Sequence, residues 1–178
     1  MHAKEITAKR IIRKMNKKNI AKYCPEGISF FEKQVLISIC SIEGYFRPFL
    51  FRVGEYFFVF LLGLYSAVFK RQMRNYTIGI SQIGVTSVLN SYGYSYYEHE
   101  KDIHLTCVKQ VFLMLSACNP RTSINITLQK ISPQIDRAKR IYPNDWRQQV
   151  RWIGEVYNGR YSYGLLLEDV FEMLLQQT

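Results

Sequence analysis

The stretch "SFFEKQVLISICSIEGYFRP", residues 29–48, decides the fold class because it has the pattern of a buried amphipathic helix. Ser29 and Glu32 have the spacing of a capping box, in which each side chain satisfies a backbone N–H at the start of a helix. Apolar residues then recur every three or four positions, and this stripe comprises Phe31, Val35, Leu36, Ile39 and Cys40. The stretch therefore predicts a core helix that begins at Ser29.

Helical patterning continues through the rest of the chain. It predicts further helices at about residues 4–22, 51–72, 84–92, 102–118, 123–140, 145–159 and 163–176. The predicted fold class is mainly α, with at most a small β or extended element near residues 77–83. We expect a basic amphipathic helix over residues 1–22, followed by a single domain over residues 23–178.

The charge balance favours an anionic partner. The formal net charge is +10 at pH 7, and part of this excess lies in the first 22 residues. Such a charge suits nucleic acid, a membrane surface or a cell-wall polymer. A globular domain that is basic without any anionic partner is the alternative.

The segment "FFVFLLGLYSAVF", residues 57–69, is the most apolar run in the sequence. It is shorter than the roughly 20 residues that a bilayer span needs, so a buried central helix is favoured over a hairpin that touches a membrane. The N-terminus has no apolar region of a signal peptide, and we expect synthesis in the cytoplasm. Four cysteines without a CxxC pair indicate buried free thiols.

Glu43 is the acidic residue whose position is unusual. It follows Leu36, Ile39 and Cys40 at offsets of seven, four and three, which places it on the apolar stripe of the same helix. Burial raises the pKa of a carboxyl group. A glutamic acid with a raised pKa is suited to general-acid catalysis at a glycosidic oxygen.

A structural explanation of Glu43 stands beside the catalytic one. The carboxylate could form a buried ion pair with Arg47 or Arg52, which follow it along the chain. Gly44 and Pro48 instead favour a helix that ends here and presents the carboxyl group at an opening.

Two later segments follow Glu43 in a recognisable order. They are "TIGISQI", residues 77–83, and "VYNGRY", residues 156–161. This order resembles the lysozyme-like superfamily, in particular the lytic transglycosylases (SLT domains) and goose-type lysozymes. The chain departs from that pattern in having Gly44 after the glutamate and a long apolar segment before Thr77.

The resemblance implies a role for each matching residue. Glu43 would protonate the bond between N-acetylmuramic acid and N-acetylglucosamine in peptidoglycan. The hydroxyl of Tyr157 would lie near Glu43. The expected substrate contacts are Thr77, Gly79, Gln82, Ile83, Tyr157 and Asn158.

The number of carboxylates distinguishes two reactions. A hydrolytic muramidase uses two carboxylates, and the nearest second candidate is Glu55. By resemblance, a lytic transglycosylase needs only Glu43, and the missing motif for a second carboxylate favours this reaction. Neither a metal nor another cofactor is expected.

A tyrosine-rich loop, "SYGYSYY" at residues 91–97, could line a sugar-binding groove, with Tyr94 as its candidate residue. Packing in the core is the alternative for these rings. The expected partners are peptidoglycan glycan strands and an anionic cell-envelope surface, and the expected site of action is the bacterial cell wall or periplasm. This hypothesis includes no nucleic acid.

A second hypothesis involves no catalysis. The chain would be a basic helical module that binds nucleic acid or an anionic membrane through its first helix. Glu43 would then serve only as an ion-pair partner.

Overall fold

The computed structural model of the protein describes residues 2–14, 20–47, 49–97 and 100–177. It confirms a mainly α fold with a small strand component. The helices of the described part are α1 (His2–Lys14), α2 (Phe30–Phe46), α3 (Phe49–Phe69), α4 (Val85–Ser91), α5 (Val108–Leu115), α6 (Pro120–Ile141), α7 (Trp146–Asn158) and α8 (Tyr161–Leu175). Residues 15–19 of the predicted first helix, and Pro48, lie outside the described residues.

Two short antiparallel ladders complete the secondary structure. Strand β1 (Gln72–Arg74) pairs with β4 (Asp102–His104), and β2 (Thr77–Ile78) pairs with β3 (Ile83–Gly84). The small extended element predicted near residues 77–83 is therefore a β-hairpin.

The helix predicted at residues 102–118 is wrong at its start. Asp102–His104 form β4, in which only the central residue, Ile103, is buried. Helix α5 begins at Val108, and a 3₁₀ turn covers Ser116–Cys118. Pairing with β1 satisfies the backbone of residues 102–104, and this long-range contact prevailed over the local helical pattern.

Local signals place both ends of α7 correctly, whereas the helix predicted from about residue 123 begins three residues earlier, at Pro120. Asp145 accepts a hydrogen bond from the backbone N–H of Gln148 at 3.0 Å at the start of α7. Gly159 ends that helix in the left-handed conformation, at φ 74°. Asn119 accepts from the N–H of Arg121 at 2.9 Å, directly before Pro120 at the first position of α6.

The chain divides into two compact units, which we call unit 1 (residues 1–46 and 127–178) and unit 2 (residues 47–126). In unit 1, α1 packs on α2 and α8 and buries Ala8, Ile11 and Ile12. The basic first helix is thus part of the packing of unit 1. The predicted division into residues 1–22 and 23–178 stays a prediction, because compact packing does not establish which segments fold on their own.

In unit 2, the most buried apolar side chains come from α3, α4, α5 and both β-ladders, including Val59, Ile78, Ile83, Leu89 and Met114. Helix α3 contributes one face only. Its residues 51–69 are long and apolar enough to cross a membrane, and 22% of this window is buried. The prediction of a buried central helix at residues 57–69 is therefore wrong.

The four cysteines are free, as predicted. Cys40 is buried, Cys24 and Cys118 are half-buried, and Cys107 is exposed. The predicted burial is confirmed for Cys40 and wrong for Cys107. Burial also raises the pKa of the Cys118 thiol to about 11, which keeps this thiol protonated at neutral pH.

Candidate functional site

Glu43 lies in the last complete turn of α2, where the helix passes from the core to the surface of unit 1. Ile39 and Cys40, one turn earlier, are 0% and 1% exposed. Glu43 itself is half-buried. The helix continues to Phe46, so the carboxyl group projects from the helix side and not from its end. Local helical spacing thus brings one carboxyl group to the edge of an apolar core.

The hydroxyl of Tyr163 is a hydrogen-bond partner of this carboxyl group. Tyr163 Oη donates to Glu43 Oε1 at 2.9 Å. Burial, followed by the nearby negative charge of Glu43, raises the pKa of Tyr163 well above its ordinary value. The phenol therefore stays protonated at neutral pH and remains a donor to Glu43.

The close approach of α7 and α8 holds Tyr163 in place. A Cβ atom on Gly164, the next residue, would lie 2.3 Å from the carbonyl oxygen of Arg151. A Cβ atom on Gly154 would lie 2.9 Å from the Cα of Gly164. The two glycines let the helix backbones meet, and an ion pair from Arg151 to Glu168 at 2.7 Å joins the same helices.

Tyr157 lies in the same neighbourhood. Its ring centroid is 6.2 Å from that of Tyr163, and Lys130 Nζ lies 6.0 Å from the Tyr157 centroid. Asn158 is exposed and is the last residue of α7. The Tyr-Asn-Gly segment therefore forms the C-terminal end of a helix, with Tyr157 near the Glu43–Tyr163 pair.

The segment "TIGISQI" forms a tight hairpin in unit 2. Gln82 closes its turn, because Gln82 Oε1 accepts from Thr77 Oγ1 at 2.8 Å and Gln82 Nε2 donates to the carbonyl of Gly79 at 3.0 Å. Gln82 has φ 52°, in the left-handed region. Ile83 is 1% exposed. The amide of Gln82 is thus engaged within the turn on both its oxygen and its nitrogen.

Gly79 has a steric reason to be glycine. Its φ is +83°, and an added Cβ would lie 2.3 Å from Ser123 Oγ and 2.5 Å from the carbonyl oxygen of Ala117. Ser81 Oγ also lies 2.8 Å from Ser123 Oγ. The turn is therefore pressed against the chain around residues 117–123, and packing within unit 2 explains the glycine.

Four other candidate residues have contacts within unit 2. Arg47 Nη1 forms an ion pair with Glu55 Oε1 at 2.6 Å, and Arg52 Nε donates to the carbonyl of Arg47 at 2.9 Å. The second oxygen of Glu55, Oε2, is buried and has no hydrogen-bond partner among the described residues. Tyr94 is half-buried and packs against the core of unit 2.

The predicted site residues thus form two groups. Glu43, Tyr157 and Asn158 belong to unit 1, and Tyr163 connects the first two. Thr77, Gly79, Gln82, Ile83, Tyr94 and the group of Glu55, Arg47 and Arg52 belong to unit 2. Within unit 2, the structure brings Thr77, Gly79 and Gln82 together in one turn.

Tyr163 is the site residue that sequence reasoning missed. It belongs to the tyrosine cluster at residues 157–163, which is the signal that points to it. The resemblance placed the hydroxyl role on Tyr157, six residues earlier, because the Tyr-Asn-Gly motif marks that position. Sequence spacing could not distinguish the two, since Tyr157 and Tyr163 lie on different helices.

Among the residues that the structure describes, no group of three or more His, Cys, Asp or Glu side chains could hold a metal ion. Comparison with protein-family models, curated proteins and solved structures finds no match to this chain.

Proposed function

We propose that the chain cleaves the glycosidic bond between N-acetylmuramic acid and N-acetylglucosamine in peptidoglycan, with Glu43 as the acid and base. The observation that carries this proposal is the hydrogen bond from Tyr163 to Glu43 at 2.9 Å, at the edge of an apolar core. A carboxyl group held by a neutral donor is fixed in direction, which general acid–base catalysis requires.

The carboxyl group of Glu43 takes part in both steps of the proposed reaction. Glu43 first donates its proton to the glycosidic oxygen as the bond to the leaving sugar breaks. The resulting carboxylate then accepts the proton of the muramic acid C6 hydroxyl, whose oxygen closes a 1,6-anhydro ring. Tyr163 acts as a positioning residue, since its hydroxyl stays protonated and keeps its bond to Glu43 throughout.

The transglycosylase outcome is favoured over hydrolysis because one carboxyl group suffices for it. The nearest second carboxylate along the sequence, Glu55, is paired with Arg47 within unit 2. A muramidase that releases reducing ends is the alternative outcome of the same site. The proposed partners are peptidoglycan glycan strands. The proposed site of action is therefore the bacterial cell wall or periplasm.

Glu43→Gln tests the proposal. Because a positioned proton donor contributes roughly 10²–10⁴-fold to the rate, we expect this variant to lose clearing of a peptidoglycan gel. Mass analysis of digested peptidoglycan should show 1,6-anhydro ends for the wild type. Reducing ends would indicate the muramidase. Clearing by Glu43→Gln, or no product from the wild-type protein, would exclude Glu43 glycosidase chemistry.

Tyr163→Phe tests whether the hydroxyl of Tyr163 positions Glu43 for catalysis. We expect a fall in kcat of about tenfold or more, because a hydrogen bond to a charged group contributes roughly 1.5–3 kcal/mol. The pH profile of kcat should also change, because Glu43 loses the hydroxyl that is bonded to its carboxyl group. Glu26→Gln, at an exposed position, is the matched control for Glu43→Gln. It should retain both the wild-type kcat and its pH profile.

A second candidate function is supported by the exposed face of α1. Lys9, Arg10, Arg13 and Lys14 are exposed, whereas Ala8 and the two isoleucines that follow Arg10 are buried. This arrangement suits binding of nucleic acid or an anionic membrane by charge. In that case Glu43 and Tyr163 would have a structural role only.

Because α1 buries apolar side chains in unit 1, deleting the helix would damage the fold. Arg10→Glu/Arg13→Glu is a cleaner test, since both side chains are exposed. Binding to a DNA duplex and to anionic lipid vesicles is measured at two salt concentrations. The second candidate requires salt-dependent binding that the double variant weakens, and salt-independent or absent binding rejects it.

A further inference from the structure

The outward face of α3 is apolar over most of its length. Within residues 51–69, all of which the structure describes, none of the exposed side chains is charged. Positions 57, 61, 65 and 68 recur at helical spacing and lie on one side of the helix. We call this side the α3 stripe: Phe57, Phe58, Leu61, Tyr65, Val68 and Phe69, which are 47–64% exposed.

The opposite face of α3 is already packed within unit 2. A Cβ atom on Gly63 would lie 3.0 Å from Met114 Cε and 3.2 Å from Val111 Cγ1, so α3 and α5 are in close contact. Ser66 Oγ donates to the carbonyl of Arg71 at 2.6 Å and accepts from the N–H of Leu105 at 3.3 Å. The α3 stripe is therefore a second apolar face, additional to the one that unit 2 uses for its core.

A helix that is apolar on all sides is normally covered on all sides, and large exposed apolar patches mark interaction surfaces. We propose that the α3 stripe docks on an anionic phospholipid bilayer, with α3 lying in the plane of the interface. This inference does not rest on the chemistry of Glu43.

The charge of the chain favours a bilayer over a second copy of this chain as the partner of the α3 stripe. Exposed Lys70 and Arg71 follow the last residue of the stripe. The C-terminal end of the stripe is thus cationic, so two copies paired in parallel would bring cation against cation. The net charge of +10 adds to that repulsion. An anionic lipid surface attracts the same cations.

The packing of α3 favours an interfacial position over a span. A helix of 21 residues is about 30 Å long, similar to the hydrocarbon thickness of a bilayer. Crossing the bilayer would, however, carry the turns and short ladders that pack on α3 into hydrocarbon, where their backbone groups find no water. Lying in the interface buries the stripe and leaves these groups in water.

Vesicle binding of the full chain tests the proposal. The wild-type protein is mixed with phosphatidylcholine vesicles that contain or lack phosphatidylglycerol, and the bound fraction is measured by sedimentation. We expect binding to the anionic vesicles, weakened by salt. Phe57→Ser/Leu61→Ser/Val68→Ser should lower this binding by about tenfold or more, because the buried apolar area drives interfacial binding.

A matched control removes three exposed apolar side chains elsewhere: Phe30→Ser/Ile141→Ser/Val156→Ser, at positions that are 57%, 47% and 43% exposed. It should bind vesicles as the wild type does. Glu43→Gln should also bind normally, because the vesicles contain no glycan. Circular dichroism confirms that each variant is folded.

Three results would overturn the proposal. The first is no vesicle binding by the wild type, or equal binding by the wild type and the stripe variant. The second is equal binding to vesicles with and without phosphatidylglycerol, which would remove the anionic lipid as the selected partner. The third is a dimer without lipid that the stripe variant converts to a monomer, which would make a second copy the occupant.

Discussion

At the residue scale, two glycines with nearly equal backbone angles differ in what surrounds them. Gly79 has φ +83° and Gly93 has φ +87°, so both occupy a region that side chains rarely adopt. An added Cβ at Gly93 meets nothing within 4 Å, whereas one at Gly79 meets Ser123 and Ala117 at 2.3 and 2.5 Å. Alanine substitutions at these two positions therefore distinguish the cost of backbone strain from the cost of steric crowding.

Gly79→Ala should lower the free energy of unfolding by about 3 kcal/mol, the sum of left-handed strain and overpacking. Gly93→Ala should cost about 1 kcal/mol, from strain alone. Urea denaturation of both variants measures the difference. Equal losses would show that the turn yields to the Cβ atom and that packing against residues 117–123 does not require glycine.

At the element scale, the start of α2 depends on a charged hydrogen-bond acceptor. Glu32 Oε2 accepts from the backbone N–H of Ser29 at 2.9 Å and from its hydroxyl at 2.6 Å. The Glu32 N–H donates to Ser29 Oγ at 3.3 Å, which completes the predicted capping box. The hydrogen bonds from Ser29 lower the pKa of Glu32 below its usual 4.5.

This lowered pKa gives a pH-dependent contribution to stability. Because the folded state favours the ionised form, the contribution is present above pH 4.5 and is lost as the pH falls through the lower folded pKa. Glu32→Gln should therefore cost about 1 kcal/mol or less at pH 7. The difference from the wild type should shrink as unfolding is repeated below pH 4.5, and a difference that grows in acid contradicts this assignment.

At the scale of the whole molecule, unit 2 is one continuous segment and has its own buried apolar cluster. Unit 1 combines two segments that are distant in sequence. A continuous segment with its own core is the usual form of an autonomous domain.

Residues 47–126, produced alone in mild detergent to cover the α3 stripe, should fold cooperatively and give a dispersed NMR spectrum. A fragment of equal length shifted along the chain, residues 87–166, should not, because it lacks α3, the whole first segment of unit 1 and the end of its second segment. An unfolded 47–126 fragment would mean that unit 2 needs the rest of the chain to fold.

Much of the helical fold could be predicted from the sequence because its signals are local. The capping pairs at Ser29–Glu32 and Asp145–Gln148, and Gly159 at a helix end, act within one turn of the chain. The strand at Asp102–His104 could not be predicted, because its partner β1 is about 30 residues away and three residues are too few to show a period.

The candidate site was predictable in the same limited sense. Helical spacing alone placed Glu43 on the same stripe as Ile39 and Cys40. That Tyr163 supplies the hydrogen bond to Glu43 depends on how closely α7 and α8 approach at Gly154 and Gly164, which no local pattern shows.

The sequence by itself determined which segments are helical, where several of them begin and end, and that one carboxyl group lies on an apolar stripe. These properties follow from interactions between residues a few positions apart. Only the tertiary structure decided that Gly79 is needed against Ser123, and that α3 covers its core with one face and exposes another. Each of these depends on contacts between segments distant in sequence, which local spacing does not determine.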